Sequence, residues 1–286
     1  VEVAITFDDL PAHGDLPRHT TRLDLANQII KVLKKHHIQG VYGLINAEKI
    51  QEDPNNFLVL ESWIKHGHLL GNHTFSHLDL GKVSADKFIK DIKNNDKALI
   101  KLMRDKNYKY FRYPFLSEGN TLKKRDDVRN YLFNNQYKIA EVTVDFFEYE
   151  WADPYIRCLI KKDKKSIKWL KTSYIKQSIN ALTISHALSM MLFNRDIKNI
   201  LLIHINAMTA SMLDELLTAY ESHGVKFISL SHALNDEIYN INPNVAGDRT
   251  YTFLNQIRLS RGLKNPAIVT ELYNSLPEEK LEKICR

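Results

Sequence analysis

Seven short β-rich runs, residues 1–7, 40–45, 68–72, 108–113, 138–144, 200–205 and 225–229, alternate with longer stretches whose apolar residues recur at helical spacing. No other feature limits the fold so tightly. Strands separated by helices need a crossover each, so the alternation predicts βα units around a largely parallel sheet. Between the first two runs, residues 20–37 place Leu23, Ala26, Ile29, Ile30 and Leu33 on one helical face, and residues 84–106 repeat the pattern with Phe88, Ile92, Leu99 and Met103. Ser84 reads as an N-cap, and Asp126, Asp127 and Asp214 as first-turn residues of further helices. No internal repeat and no Gly/Ser/Pro linker breaks the pattern, so one continuous domain is expected. Past Ser231 the strand pattern stops, and residues 240–286 read as a loop containing Pro243 and Gly247 followed by two or three short helices.

Composition narrows the class. With 286 residues, 44% hydrophobic and 26% charged, the chain is globular, and no apolar run reaches the roughly 18 to 20 residues of a membrane-spanning helix. The formal charge of +6 permits an anionic partner, but the basic residues are interspersed with acidic ones. Residues 161–165 form the one basic block and read as a solvated loop, so nucleic acid is not an expected partner. Cys158 and Cys285 cannot build a disulfide framework and lack a CxxC spacing, which leaves the compartment open. Val1 begins a strand at once, as expected after removal of a signal peptide or at an arbitrary boundary; the former would suit a secreted or periplasmic protein.

The chemically conspicuous residues fall at the C-terminal ends of the predicted strands. Asp8 and Asp9 follow the first, His73 and His77 the third, Arg112 ends the fourth, Asp145 follows the fifth and His204 lies near the end of the sixth. In barrels of βα units that face gathers the loops that build active sites. His73 and His77 stand at i and i+4, which on one helical turn would let two imidazoles share a cation. Thr74 rules out the HExxH pattern, so a base must come from elsewhere. Consecutive residues leaving a strand point in different directions, so one of Asp8 and Asp9 can bind a cation while the other faces the space above it. With the histidines this completes a His/His/Asp facial set with open positions, the arrangement of a catalytic rather than a structural metal. His186 and His232 read as surface or structural, and the Asn72-His73-Thr74 sequon is discounted because a glycan there would block the pocket.

Five motifs in order, Thr6-Phe7-Asp8-Asp9, His73-Thr74-Phe75-Ser76-His77, Arg112-Tyr113-Pro114-Phe115, Asp145 to Trp151, and Leu202-Ile203-His204, resemble those of the polysaccharide deacetylase family, carbohydrate esterases with a NodB homology domain. The resemblance implies an α/β fold, a distorted (β/α)7 barrel, placed at residues 1–235, and the pattern past Ser231 adds a helical extension at 236–286 expected to pack on it. The resemblance also implies one divalent ion held by Asp9, His73 and His77, zinc first, with cobalt, nickel or manganese also accepted by such donors. Asp8 would be the general base, oriented by Arg112, and His204 the general acid; Asp145 would steady either the His204 side or Arg112. The Phe115 backbone N–H would meet the developing oxyanion, with Leu202 on the substrate side, while Trp151 is either a wall against the acetyl methyl or an ordinary core aromatic. Departures from the family pattern are Leu10 in place of the usual Gly, with His13 then able to approach the pocket or to pack elsewhere, a looser fourth motif in which Glu148 and Glu150 have no assigned role, and a fifth reading His204-Ile205-Asn206 where many members carry an acidic or polar residue directly after the His.

The implied activity is metal-dependent removal of N- or O-acetyl groups from a glycan such as peptidoglycan or a chitin-like polymer. The same site would also suit a deformylase or a small-amide C–N hydrolase, and a glycan-binding module with a degenerate site is the non-enzymatic alternative.

Overall fold

The computed structural model describes residues 1–247 and 251–286. Seven parallel strands are present: β1 (Glu2–Leu10), β2 (Tyr42–Ile45), β3 (Leu69–Asn72), β4 (Tyr110–Phe111), β5 (Lys138–Ile139), β6 (Lys198–His204) and β7 (Lys226–Ile228). The helices are α1 (Arg22–Lys35), α2 (Glu48–Glu52), α3 (Asn56–Lys65), α4 (Ala85–Met103), α5 (Leu122–Asn134), α6 (Ala152–Lys161), α7 (Lys164–Phe193), α8 (Ala207–Ser222), α9 (Leu230–Ala233), α10 (Phe253–Ser260), α11 (Ala267–Asn274) and α12 (Glu278–Lys283).

β1 is the hub. β6 runs along one of its edges, from Glu2 opposite Lys198 to Asp8 opposite His204. The other edge is divided: β7 takes Glu2 to Ala4, and β2 takes over from Thr6. From β2 the sheet continues through β3 and β4 to β5, and the curl is closed only by an isolated bridge between Val144 and Leu201. The result is the expected α/β barrel, distorted and incompletely closed. β4 and β5 are shorter than the runs at 108–113 and 138–144. Pro114 cannot donate to a ladder, and beyond β5 Thr143 N and Val144 N both donate to Ile200 O while Thr143 Oγ1 takes the Ile200 N–H at 2.9 Å and donates to Asn199 Oδ1 at 3.1 Å, so the regular ladder is interrupted.

Both helices read from periodicity form. α1 buries Leu25, Ala26, Ile29, Ile30 and Leu33 behind a Thr21/Asp24 capping box, and Ser84 caps α4 by accepting from Lys87 N. The main core joins these faces to β1, with Phe7 set edge-on to Trp63 at 5.3 Å. Other local expectations shift. Thr121 caps α5, which puts Asp126 and Asp127 beyond its first turn; Asn206 caps α8, which puts Asp214 in its interior, where it binds Lys35 and His36. The basic block at 161–165 is a helix junction rather than a loop: Lys161 ends α6, Lys162 is left-handed and Asp163 caps α7.

The cysteines also correct the sequence reading, because Cys158 and Cys285 form a disulfide across 127 residues. Their separation concealed a contact that tertiary packing creates: Arg157 on α6 donates to the carbonyls of Leu281 and Ile284, and Lys161 to that of Arg286. The C-terminal region is helical as expected. Phe253, Leu254, Ile257 and Val269 pack on Ile184, Leu188 and Leu192 of α7, and Phe253 N donates to Val142 O at 2.7 Å. Residues 248–250 of the predicted extension lie outside the described residues. No helix among the described residues is long and apolar enough to cross a membrane.

Candidate active site

The ends of β1, β3 and β6, with the segments after β4 and β5, enclose a cavity of about 450 Å³. Asp8, Asp9, His73, His77, Phe115, Asp145, Leu202 and His204 all line it, so residues spread over almost 200 positions converge as the sequence implied. Arg112 lies behind Asp8, and Trp151 does not reach the cavity.

Strict strand alternation would send Asp8 and Asp9 to opposite faces. Instead, both carboxylates face one cavity, because the β1–β2 register shifts between Phe7 and Leu10 and Asp9 takes φ 62°. Asp8 Oδ1 accepts from Arg112 Nη1 at 2.6 Å, while Arg112 also donates to Thr6 Oγ1 and, through Nε, to Ala140 O, both at 2.8 Å. Buried guanidinium and carboxylate thus fix one another, and Asp8 Oδ2 is turned toward His73 Nε2, 3.7 Å away.

His73 and His77 do not share a helical turn. They sit on an irregular loop in which Thr74 and His77 have positive φ, because Asn72 Oδ1 accepts from Thr74 N and Asp91 accepts from Ser76 N and Oγ. The loop still brings the rings within 5.0 Å. His73 Nδ1 lies 2.9 Å from Arg112 O. A carbonyl only accepts, so Nδ1 carries the proton and Nε2 presents its lone pair to the cavity. Asn72 itself is fully buried with its amide bonded to Ile92 O, which closes the sequon.

Asp9 Oδ1 is buried and accepts no hydrogen bond, although His77 Nε2 stands 3.1 Å away, Lys49 Nζ 3.6 Å in a long ion pair, and His73 Nε2 3.7 Å. A buried acceptor without a donor is costly. An oxygen and two imidazole nitrogens within 4.8 Å of one another form a donor set that fits a divalent cation. Electrostatics agree. Burial drives both imidazoles toward the neutral form that metal ligation requires, lowering His77 to about 3. Burial would raise the Asp9 carboxyl, but the His13 hydrogen bond and the nearby Lys49 hold it well below the usual carboxylate range.

Across the cavity, His204 Nδ1 contacts Glu148 Oε2 at 2.8 Å, and Glu148 Oε1 accepts from Asn206 Nδ2 and Thr209 Oγ1, both at 2.5 Å. Burial disfavours a charged imidazole here, yet Glu148 overrides it and His204 is pushed up to about 9. Asp145 was expected in the supporting role. It instead accepts from Phe147 N at 2.8 Å, bonds to neither His204 nor Arg112, and is pushed up to about 6 chiefly by burial. Trp151 resolves to the core alternative, with no exposure and its Nε1 donating to Ser173 Oγ at 2.9 Å. The apolar wall comes from Phe147, Tyr149 and Leu202, with Tyr149 edge-on to His204 at 5.7 Å. Phe115, at φ 57°, presents its ring to His77 at 4.5 Å.

Three contributors were not assigned from sequence. His13 reaches the cavity, with Nδ1 3.0 Å from Asp9 Oδ2. Lys49 donates to the carbonyls of Ala12 and Asp9 from a helix that carried no chemical signal. Glu148 had a usable signal, a carboxylate three residues past Asp145 in the fourth motif. Backbone strain concentrates here as well: of the fourteen non-glycine residues with positive φ among those described, Asp9, Thr74, His77, Phe115, Leu116 and Phe147 lie in or between the site segments.

A family model described as polysaccharide deacetylase matches residues 2–138. Residues 2–138 are thus similar to the polysaccharide deacetylase family. The matched segment carries Asp8, Asp9, His73, His77 and Arg112, while Glu148 and His204 lie beyond it. A chitin deacetylase of Arthroderma benhamiae is 25% identical over 152 residues, 53% of this chain and 36% of the relative. A peptidoglycan-N-acetylglucosamine deacetylase of Bacillus cereus is 34% identical over 103 residues, 35% of this chain and 32% of the relative. The chain therefore spans about a third of the length of these relatives. Among solved structures, the chitin deacetylase of Colletotrichum lindemuthianum superposes with a TM-score of 0.56 at 21% identity, covering 82% of this chain and 88% of that one. A CE4-family pseudoenzyme from Bacillus anthracis gives 0.58 at 17%, covering 82% and 65%. These likenesses establish the polysaccharide deacetylase fold.

Proposed function

We propose that the chain is a metal-dependent deacetylase that hydrolyses the acetamide of an amino-sugar polymer of the peptidoglycan or chitin type. The observation that carries this reading is that Asp9 Oδ1 accepts no hydrogen bond and faces the Nε2 atoms of His73 and His77, with a carboxylate and an imidazole held on either side. Asp9, His73 and His77 would hold one divalent ion. When bound, it would polarise the scissile carbonyl and acidify a water.

The chain's own groups account for the proton movements. Asp8, paired with the Arg112 guanidinium through Oδ1, takes the proton of the attacking water through Oδ2 as the new C–O bond forms. Negative charge growing on the carbonyl oxygen meets the Phe115 N–H. His204, kept protonated by Glu148, delivers a proton to the amine nitrogen as the C–N bond breaks, releasing acetate and a free amino sugar. Phe147, Tyr149 and Leu202 exclude water on the acetyl side. The names of the curated relatives support the substrate class. The Cys158–Cys285 disulfide suits an oxidising, extracytoplasmic compartment where such polymers lie.

The test is acetate release from N-acetylated chitin oligomers and peptidoglycan, with chelation and re-addition of zinc or cobalt. Chelation should abolish release, metal should restore it, and Asp8→Asn should lower kcat about 10²- to 10⁴-fold. Release that survives chelation or Asp8→Asn would refute the mechanism, and tight glycan binding without release would favour a binding module. In metal analysis, His77→Ala should lose the ion and His232→Ala should keep it.

A further inference from the structure

Asp9 has two carboxylate oxygens with opposite environments. Oδ1 lies between the two histidines, accepts no hydrogen bond and has Lys49 Nζ 3.6 Å away; Oδ2 is 3.0 Å from His13 Nδ1. The same His13 ring stacks on His204, with centroids 4.3 Å apart and planes inclined by 29°. One imidazole therefore touches both the cation side and the proton-donor side of the cavity.

His13 is placed there by the fold. Ala12 N donates to Asp9 O at 3.0 Å, Lys49 Nζ to Ala12 O at 2.9 Å, and Arg22 Nη1 to His13 O at 2.9 Å, so the loop is pinned on both sides of the ring. Gly14 follows at φ 64°, a left-handed turn that glycine adopts without strain, and a Cβ there would stand 3.6 Å from Ala152 Cβ and 3.9 Å from Asn206 Cβ.

We propose that His13 is a positioning residue: by donating to Asp9 Oδ2 it fixes Asp9 as a ligand through Oδ1 alone, and by stacking on His204 it sets the plane of the proton donor. This rests on the reading of Asp9, His73 and His77 as cation ligands. A free carboxylate can swing or offer both oxygens to an ion; an N–H anchored on one of them removes that freedom, and such outer partners typically govern metal affinity by 10- to 100-fold. The imidazole of His204 is held at Nδ1 by Glu148, at one side by the edge of Tyr149, and on a face by His13. Glu148 alone fixes a point on the ring, whereas the stack restricts rotation about it.

Two substitutions separate the functions. His13→Asn keeps an N–H near the Nδ1 position and loses the ring; His13→Phe keeps a ring and loses the donor, with His13→Ala as a second donor-free variant should the Phe protein not fold. Cobalt(II) affinity is measured by chelator competition, independently of activity, alongside kcat and KM for acetate release. His13→Phe should bind cobalt about 10- to 100-fold more weakly than wild type. His13→Asn should stay within about threefold in affinity and lose about tenfold in kcat at unchanged KM, a split that a general structural role would not produce. Wild-type affinity in both donor-free variants, or a second cobalt equivalent lost with His13, overturns the positioning role while leaving the cation site standing. A wild-type protein that binds no cobalt overturns the cation site and this role with it.

Discussion

A buried imidazole normally gives up its proton, because desolvation penalises the cation. His204 keeps it chiefly through Glu148, and in Glu148→Gln only the weaker pull of Asp9 and Asp8 opposes burial. The alkaline limb of the pH–rate profile, set by loss of the acid's proton, should then move down by about two pH units, with kcat at neutral pH reduced. An unmoved limb would remove the pair from the chemistry. The same pair makes a stability prediction. His204 titrates at about 9 against an ordinary 6.5, so its contribution is complete below about 6.5 and is lost as pH rises through 9. Glu148 is held below its ordinary 4.5, so its contribution is present above that value and fades as pH falls through the depressed one. Thermal melts of wild type and Glu148→Gln should differ most between these limits, near pH 5.5, and the difference should narrow as pH rises through 9 and the His204 contribution is lost.

At the scale of elements, the Cys158–Cys285 link joins α6 to the end of the chain, and α12 packs beside the turn Glu148–Trp151 that carries the His204 partner. The tail therefore braces the acid half of the site from outside. Removing the cross-link frees the unfolded chain, so Cys285→Ser should cost about 2–4 kcal/mol in urea denaturation. Reductant should destabilise wild type by a similar amount and leave Cys285→Ser unaffected; equal effects on both would show that the bond does not form.

For the whole molecule, the second core decides whether the C-terminal helices fold with the barrel. Ile257 on α10 packs into the same cluster as Leu188 and Leu192 of α7. Ile257→Ala should cost about 2–4 kcal/mol, shifting a single cooperative transition; a separate early transition would mark residues 236–286 as an independent unit. The strand count, the parallel sheet and the strand-end chemistry were legible because burial imposes periodicity and because βα folds gather polar residues at one rim. What escaped notice depended on contacts that no spacing encodes. Cys158 and Cys285 meet only after α12 docks, Lys49 arrives from a neighbouring short helix, and the His73–His77 pair owes its geometry to Asn72 and Asp91 rather than to a helical turn. Trp151 and Asp145 show the converse: a motif position can retain its residue type while burial or a local backbone bond keeps its side chain from the neighbours the motif implies.

The cluster of left-handed residues bears on how such a protein would respond to selection. Thr74, Leu116 and Phe147 hold backbone conformations that glycine would adopt more comfortably, by roughly 1–2 kcal/mol each. Their strain aims neighbours that carry the chemistry. Directed evolution scored on heat tolerance alone would favour relaxing those positions, drifting toward a sturdier barrel whose histidines and carboxylates no longer converge.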